Sequence, residues 1–188
     1  MSRWEPNARG RLEAAAMELF AERGFEQTTV AEIAGRAGLT ERTFYRHFAD
    51  KREVLFPDAN PLGAFFAEAI ADAPDAAVPL DVVAAVLDAA ADYFADRRDF
   101  SRRRQAVVAA NAELQERELV KLATLTAVLA EGLRGRGIGE PAASLAAEAG
   151  TAVFKVALVR WAAEAEERHL REVMREALEA FRAVAARE

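Results

Sequence analysis

Thr28-Thr29-Val30-Ala31-Glu32-Ile33-Ala34-Gly35-Arg36-Ala37-Gly38-Leu39-Thr40-Glu41-Arg42-Thr43-Phe44-Tyr45-Arg46-His47-Phe48 sets two short helical segments around a single glycine turn. Thr29 followed by Glu32 is a capping box, whose hydroxyl and carboxylate satisfy backbone groups that a helix leaves open at its start; this predicts a helix over Val30 to Arg36. Ala37-Gly38-Leu39 supplies a tight turn, and Thr40 caps a second helix from Glu41 to about His47. Val30, Ile33, Ala34, Leu39 and Phe44 then face inward, which leaves Glu41, Arg42, Thr43, Tyr45, Arg46 and His47 available to a major groove. Two helices at this spacing meet the requirements of a helix-turn-helix. A helical hairpin whose polar residues are merely solvated meets them equally, and spacing alone does not separate the two.

On the N-terminal side a helix is predicted from about Asn7 to Arg23, with Leu12, Ala15, Ala16, Leu19 and Phe20 on one face, Gly24 as its stop and Phe25 as a plug. On the C-terminal side Asp50 with Glu53 forms a second capping box, which predicts a connector helix from Lys51, interrupted by Pro57 and Pro61. Apolar residues recur at intervals of three and four through the rest of the chain, so the fold class is all-α. Further helices are expected over Asp81 to Arg97, through Arg102, Arg103 and Arg104, and over Leu114 to Leu133 with a stripe at 119, 122, 125, 129 and 133. Gly132 to Gly139 is the next expected break, followed by helices from Pro141 to Glu164 and from Leu170 to Ala185. This predicts a helix-turn-helix domain over residues 1–52 and a larger helical domain over 53–188.

The residues themselves favour the helix-turn-helix. Thr29-Val30, Ile33-Ala34, Ala37-Gly38-Leu39-Thr40, Thr43-Phe44-Tyr45, His47-Phe48 and Lys51 closely resemble the DNA-binding domain of TetR-family transcriptional regulators. Leu19 to Phe25 is similar to the end of that family's first helix, so the resemblance covers roughly residues 9 to 56. It implies a homodimeric regulator, most often a repressor, with a DNA-binding head and a body that dimerises and senses a small molecule. It also implies that Tyr45 and Lys51, with Thr28 or Thr29, meet phosphates, and that Arg42 and Thr43 read bases. Thr40, Arg46 and His47 complete the expected DNA-binding set. Where the family often carries Lys, Pro or Gly, this sequence has Glu41 and Arg42; Glu41 fits a charge at a helix N-terminus better than a reader of cytosine.

Charge agrees in direction. Residues 1–52 hold nine Lys/Arg against eight Asp/Glu, whereas the whole chain has a net charge of −6. With no cysteine there is no thiolate nucleophile or Cys-ligated zinc, and a reducing cytoplasm is the natural expectation. The start lacks a signal peptide's basic and apolar regions, and no uninterrupted apolar run of membrane-spanning length is visible, so no membrane role is expected. Glu166-Glu167-Arg168-His169 spells the Glu-x-x-His of di-iron bundles, but no second copy exists. Gly132, Gly135, Gly137 and Gly139 follow no strand and precede no Gly-Lys-Ser/Thr, so they are not a phosphate loop. No enzyme, metal or cofactor is expected.

The expected partners are a palindromic double-stranded operator, a second copy of the chain and a hydrophobic or amphipathic effector. Phe65, Phe66, Tyr93, Phe94, Arg103 and Trp161 are the candidate effector lining, since an arginine turned inward among these rings would hold an acidic head group. Ala143, Ala147 and Gly150 would let two subunits approach closely, with Phe154, Trp161, Leu178 and Phe181 as apolar area for the dimer. The main rival is a helical carrier of hydrophobic ligands that has lost DNA binding.

Overall fold

The computed structural model describes residues 7–57, 61–164 and 168–186. Among them the chain forms nine α-helices and no strand: α1 (Ala8–Arg23), α2 (Val30–Arg36), α3 (Glu41–His47), α4 (Pro61–Asp72), α5 (Pro79–Phe94), α6 (Arg98–Ala109), α7 (Ala112–Gly135), α8 (Ala142–Ala163) and α9 (Leu170–Ala185). The chain groups into two compact units. One, the head, takes residues 1–59 together with 103–118; the other, the body, takes 60–102 and 119–188. The grouping differs from the expected division at residue 52, because a stretch of α6 and α7 joins the head from a distance in sequence.

In the head, α1 packs against α2 and α3. Leu12, Ala15, Ala16, Leu19 and Phe20 are all buried, as the spacing predicted, and Phe25 packs its ring 5.0 Å from that of Phe20. Gly24 ends α1 at φ 83° and ψ 161°, an extended conformation of positive φ rather than the left-handed helical one. No helix starts at Lys51. Asp50 accepts from the backbone N–H groups of Arg52 and Glu53, as a cap would, but the chain then makes only turns before Pro57. That short segment buries Val54, Leu55 and Phe56. Arg104 donates to the Leu55 carbonyl at 2.9 Å, lies over the Phe56 ring and pairs with Glu118, while Arg52 pairs with Glu113.

In the body, α5 packs against α4, α8 and α9, and α8 packs against α9. The core they share includes Phe66, Ile70, Val83, Leu87, Leu129, Leu133, Phe154 and Met174. α7 passes through Gly132 and ends at Gly135, so the predicted break starts later; Gly132 is used instead for a close approach, since a Cβ there would lie 2.7 Å from Ile70. The predicted α7 stripe also begins later, with Leu119 59% exposed while Leu125, Leu129 and Leu133 are buried. The C-terminal carbonyls of α8 are covered by guanidinium groups: Arg98 donates to Trp161 and Glu164, and Arg102 to Ala162 and Glu164. The arginine run is therefore divided, with Arg102 on α8, Arg103 exposed and Arg104 within the head.

α8 is long and apolar enough to cross a membrane by length and composition alone, yet half of its most apolar window is buried, as in the core helix of a bundle. Gly150 sits at its tightest point, where a Cβ would lie 2.9 Å from Leu129 and 3.1 Å from Val83. Gly150→Val should therefore destabilise the protein by about 1–3 kcal/mol through overpacking, measured as a lower midpoint in urea unfolding.

Candidate functional site

A seven-residue helix has few internal hydrogen bonds, so α2 and α3 depend on their ends and on what lies beneath them. Thr29 closes a full capping box: its hydroxyl accepts from the Glu32 backbone at 3.2 Å, and Glu32 accepts from the Thr29 backbone and hydroxyl, both at 2.9 Å. Those bonds, with the Arg23 guanidinium nearby, hold the Glu32 carboxyl below its ordinary pKa. Between the helices Gly38 adopts φ 64°, and Leu39 donates back to the Ala34 carbonyl at 2.8 Å, which closes the end of α2. Thr40 then caps α3 by accepting from the Thr43 backbone. Arg11 of α1 donates to the Ala37 carbonyl and so ties the turn to the helix behind it. Arg36 binds Glu22 and Glu18, and its hydrogen bonds lower the Glu22 pKa.

Phe44, fully buried, anchors α3, and its ring lies 5.3 Å from that of Phe48. The opposite face presents Glu41, Arg42, Tyr45 and Arg46 as exposed residues, with Thr43 half-buried. Arg9, Arg11, Arg23, Arg36, Arg52 and Arg104 of the same unit each bind a carboxylate or a carbonyl. The guanidinium groups of Arg42 and Arg46 bind neither among the described residues. Two uncommitted cations on one exposed helical face are suited to an anionic, hydrogen-bonding surface.

Other predicted contacts are placed differently. Thr28 is 1% exposed and its hydroxyl donates to the Gly24 carbonyl at 2.9 Å, so only Thr29 of that pair is exposed. His47 is half-buried, with Nε2 enclosed and unpartnered. Lys51 turns inward: its Nζ donates to the carbonyls of Phe25 at 2.7 Å, Thr28 at 3.1 Å and Glu26 at 3.2 Å, and lies 4.4 Å from the centre of the Phe25 ring. An ammonium has three protons, and three carbonyls take them.

The candidate effector rings do meet. Phe65 lies 5.4 Å from Tyr93, Tyr93 lies 4.9 Å from Phe94, and both Phe94 and Phe66 lie 6.1 Å from Phe154. Arg103 does not join them, being exposed and grouped with the head. Trp161 is buried with its indole N–H donating to the Arg168 carbonyl, a structural role beneath the α8 terminus. The residues expected at the dimer interface on α8 and α9 lie against the protomer's own core. Ala143, Ala147, Gly150, Phe154, Trp161 and Leu178 are buried inside one chain and Phe181 is half-buried against the same core, because their small size and apolar character serve packing within the protomer. Glu166 and Glu167 lie outside the described residues, and among those described no cluster of three metal-ligating side chains occurs.

Residues 12–56 match the sequence profile of the bacterial regulatory proteins of the tetR family. The head is thus of the tetR type. It is 37% identical over 75 residues to the HTH-type transcriptional regulator TcmR of Streptomyces glaucescens, a match covering 40% of this chain and 33% of that protein. The HTH-type transcriptional repressor KstR2 of Mycobacterium tuberculosis is 47% identical over 47 residues, covering 25% of this chain and 24% of the other. These matches span a third or less of the relatives' own lengths. Beyond the head the likeness is one of fold: FadR of Thermus thermophilus, a TetR-family repressor solved in complex with lauroyl-CoA, aligns over 96% of each chain with a TM-score of 0.57 and 25% identity.

For this TetR-family head, the inward Lys51 changes what its replacement should do. Lys51→Met leaves three carbonyls without their donor and should destabilise the protein by about 1–3 kcal/mol in urea unfolding. A lysine that met phosphate would, on replacement, reduce the salt slope of DNA binding by about one unit. The clamp seen here predicts an unchanged slope when the folded variant is titrated with DNA at several salt concentrations.

Proposed function

We propose that the chain is a sequence-specific DNA-binding transcriptional regulator, a repressor released from its operator by a small hydrophobic or amphipathic effector. The observation that carries the reading is the exposed face of α3, where Arg42 and Arg46 are uncommitted while Arg9, Arg11, Arg23, Arg36, Arg52 and Arg104 of the same unit are engaged. Like the regulators it resembles, the chain acts on DNA in the cytoplasm and not as an enzyme. Arg42 near the start of α3 reads a base edge, Tyr45 and Thr29 meet backbone phosphates, and Arg46 adds to the phosphate field. The Thermus FadR, alike in fold over nearly the whole chain, is a repressor, which supports repression.

One seven-residue helix reads too little DNA, so two copies act together on a palindrome. The outer face of α8 supports this pairing. Leu145, Val156 and Val159 are 65%, 61% and 49% exposed, and with the exposed Ala152 and Ala163 they recur at steps of seven, four and three, the spacing of a helix–helix seam. The complex of FadR with lauroyl-CoA and the ring cluster of this body support an effector with a large apolar part. Reversing a DNA-competent population from ~99:1 to ~1:99 takes about 5.5 kcal/mol of differential binding, which apolar contact supplies more readily than a simple ion.

Selection from random duplexes, followed by mobility shifts on the winning sequence, tests the reading; failure to enrich any sequence would favour the ligand-carrier rival. Arg42→Ala should cost about 1–3 kcal/mol on the best site and relax one base position, read by repeating the selection. Val156→Glu should shift the protein from dimer to monomer in sedimentation at micromolar concentration with its helical circular dichroism unchanged.

A further inference from the structure

Most arginines of the body are committed. Arg98 and Arg102 cover the end of α8, Arg136 donates to the Ile70 and Pro74 carbonyls, and Arg171, Arg175 and Arg182 bind Asp88, Asp92 and Asp81. Arg97 is different. It is exposed, its guanidinium carbon lies 4.9 Å from the centre of the Tyr93 ring, and the group makes no hydrogen bond or ion pair among the described residues. Asp92 nearby is already held by Arg171, and Asp96 and Asp99 flank the position without pairing to it.

Tyr93 belongs to the continuous file of rings. The file starts at Phe65, which is 39% exposed, passes through Tyr93 and Phe94, and ends at Phe154 and Phe66, both buried in the core. Its outer end therefore joins a partly exposed ring to a cation held over the next ring, and its inner end is wholly apolar. From this we infer that Arg97 anchors the anionic head of an amphipathic effector whose apolar chain follows the ring file inward. The stacking on Tyr93 orients the planar guanidinium and leaves its N–H edges for a carboxylate or a phosphate, either of which it binds in a fork. The inference rests on reading the body as the effector site.

The test titrates the full-length protein with three ligands of equal chain length, laurate, lauroyl-CoA and dodecanol, by calorimetry. Wild type should bind at least one of the anionic pair about tenfold or more tightly than dodecanol, the size of effect expected for a charge-assisted hydrogen bond. Preference for laurate identifies a carboxylate head, and preference for lauroyl-CoA a phosphate-bearing one. Arg97→Met should remove the preference while leaving dodecanol affinity unchanged, and Arg97→Lys should retain part of it. Equal binding of all three by wild type, or a preference that survives Arg97→Met, would overturn the role of Arg97 while leaving the apolar site standing. An equal loss for dodecanol in Arg97→Met would likewise show that the residue shapes the site and does not read charge. Binding of none of the three would remove this inference together with the effector reading on which it rests.

Discussion

A helix of seven residues cannot hold itself together in water, and both helices of the DNA-facing motif have that length. Everything else in the head follows from that shortage. Caps at Thr29 and Thr40 supply hydrogen bonds that the helices cannot, the Gly38 turn closes one helix as it opens the other, and Phe44 fixes α3 by its burial. The Lys51 ammonium takes up three carbonyls of the loop that leads into α2, which sets the position of Thr29 and hence of the capping box. The outer face of α3 is thereby freed from any structural duty except solubility.

The body solves a different problem. α8 has 22 residues and is apolar around much of its circumference, so it needs cover on several sides and a partner for its C-terminal carbonyls. α5, α9 and α7 supply the cover, with Gly150 permitting close approach, and Arg98 and Arg102 supply the donors. Between α5 and α9 the charge is arranged across the pair, acids on the former and arginines on the latter. Such exposed pairs contribute little stability each, yet they fix which faces meet.

The helix-turn-helix was readable because its determinants are local: a capping box, a glycine turn and an inward aromatic lie within twenty residues of one another. α1 and α9 were readable from periodicity for the same reason. The inward bonds of Lys51 and Thr28 were not legible because their partners, the Phe25 and Gly24 carbonyls, carry no signature in the sequence. A lysine that meets phosphate and one that ties a loop are the same letter. Small and aromatic residues on α8 have the same ambiguity, since Gly150 and Phe154 suit a core as well as an interface, and only burial within one chain separates the two. Leu145, Val156 and Val159 are what α8 leaves exposed once that core is known.

The head is assembled from two stretches of chain that lie far apart in sequence. Residues 103–118 bring Arg104 to the Leu55 carbonyl and the Phe56 ring, Glu113 to Arg52, and Asn111 to Glu26, so they complete the unit that begins at the N-terminus. A fragment that stops at Pro57 is missing part of its own interior. Grafting residues 1–57 alone onto the body of another regulator would set these contacts against foreign residues. A chimera that keeps the head intact must exchange both stretches, so the modular unit of this protein is defined in space and not by a single cut in the chain.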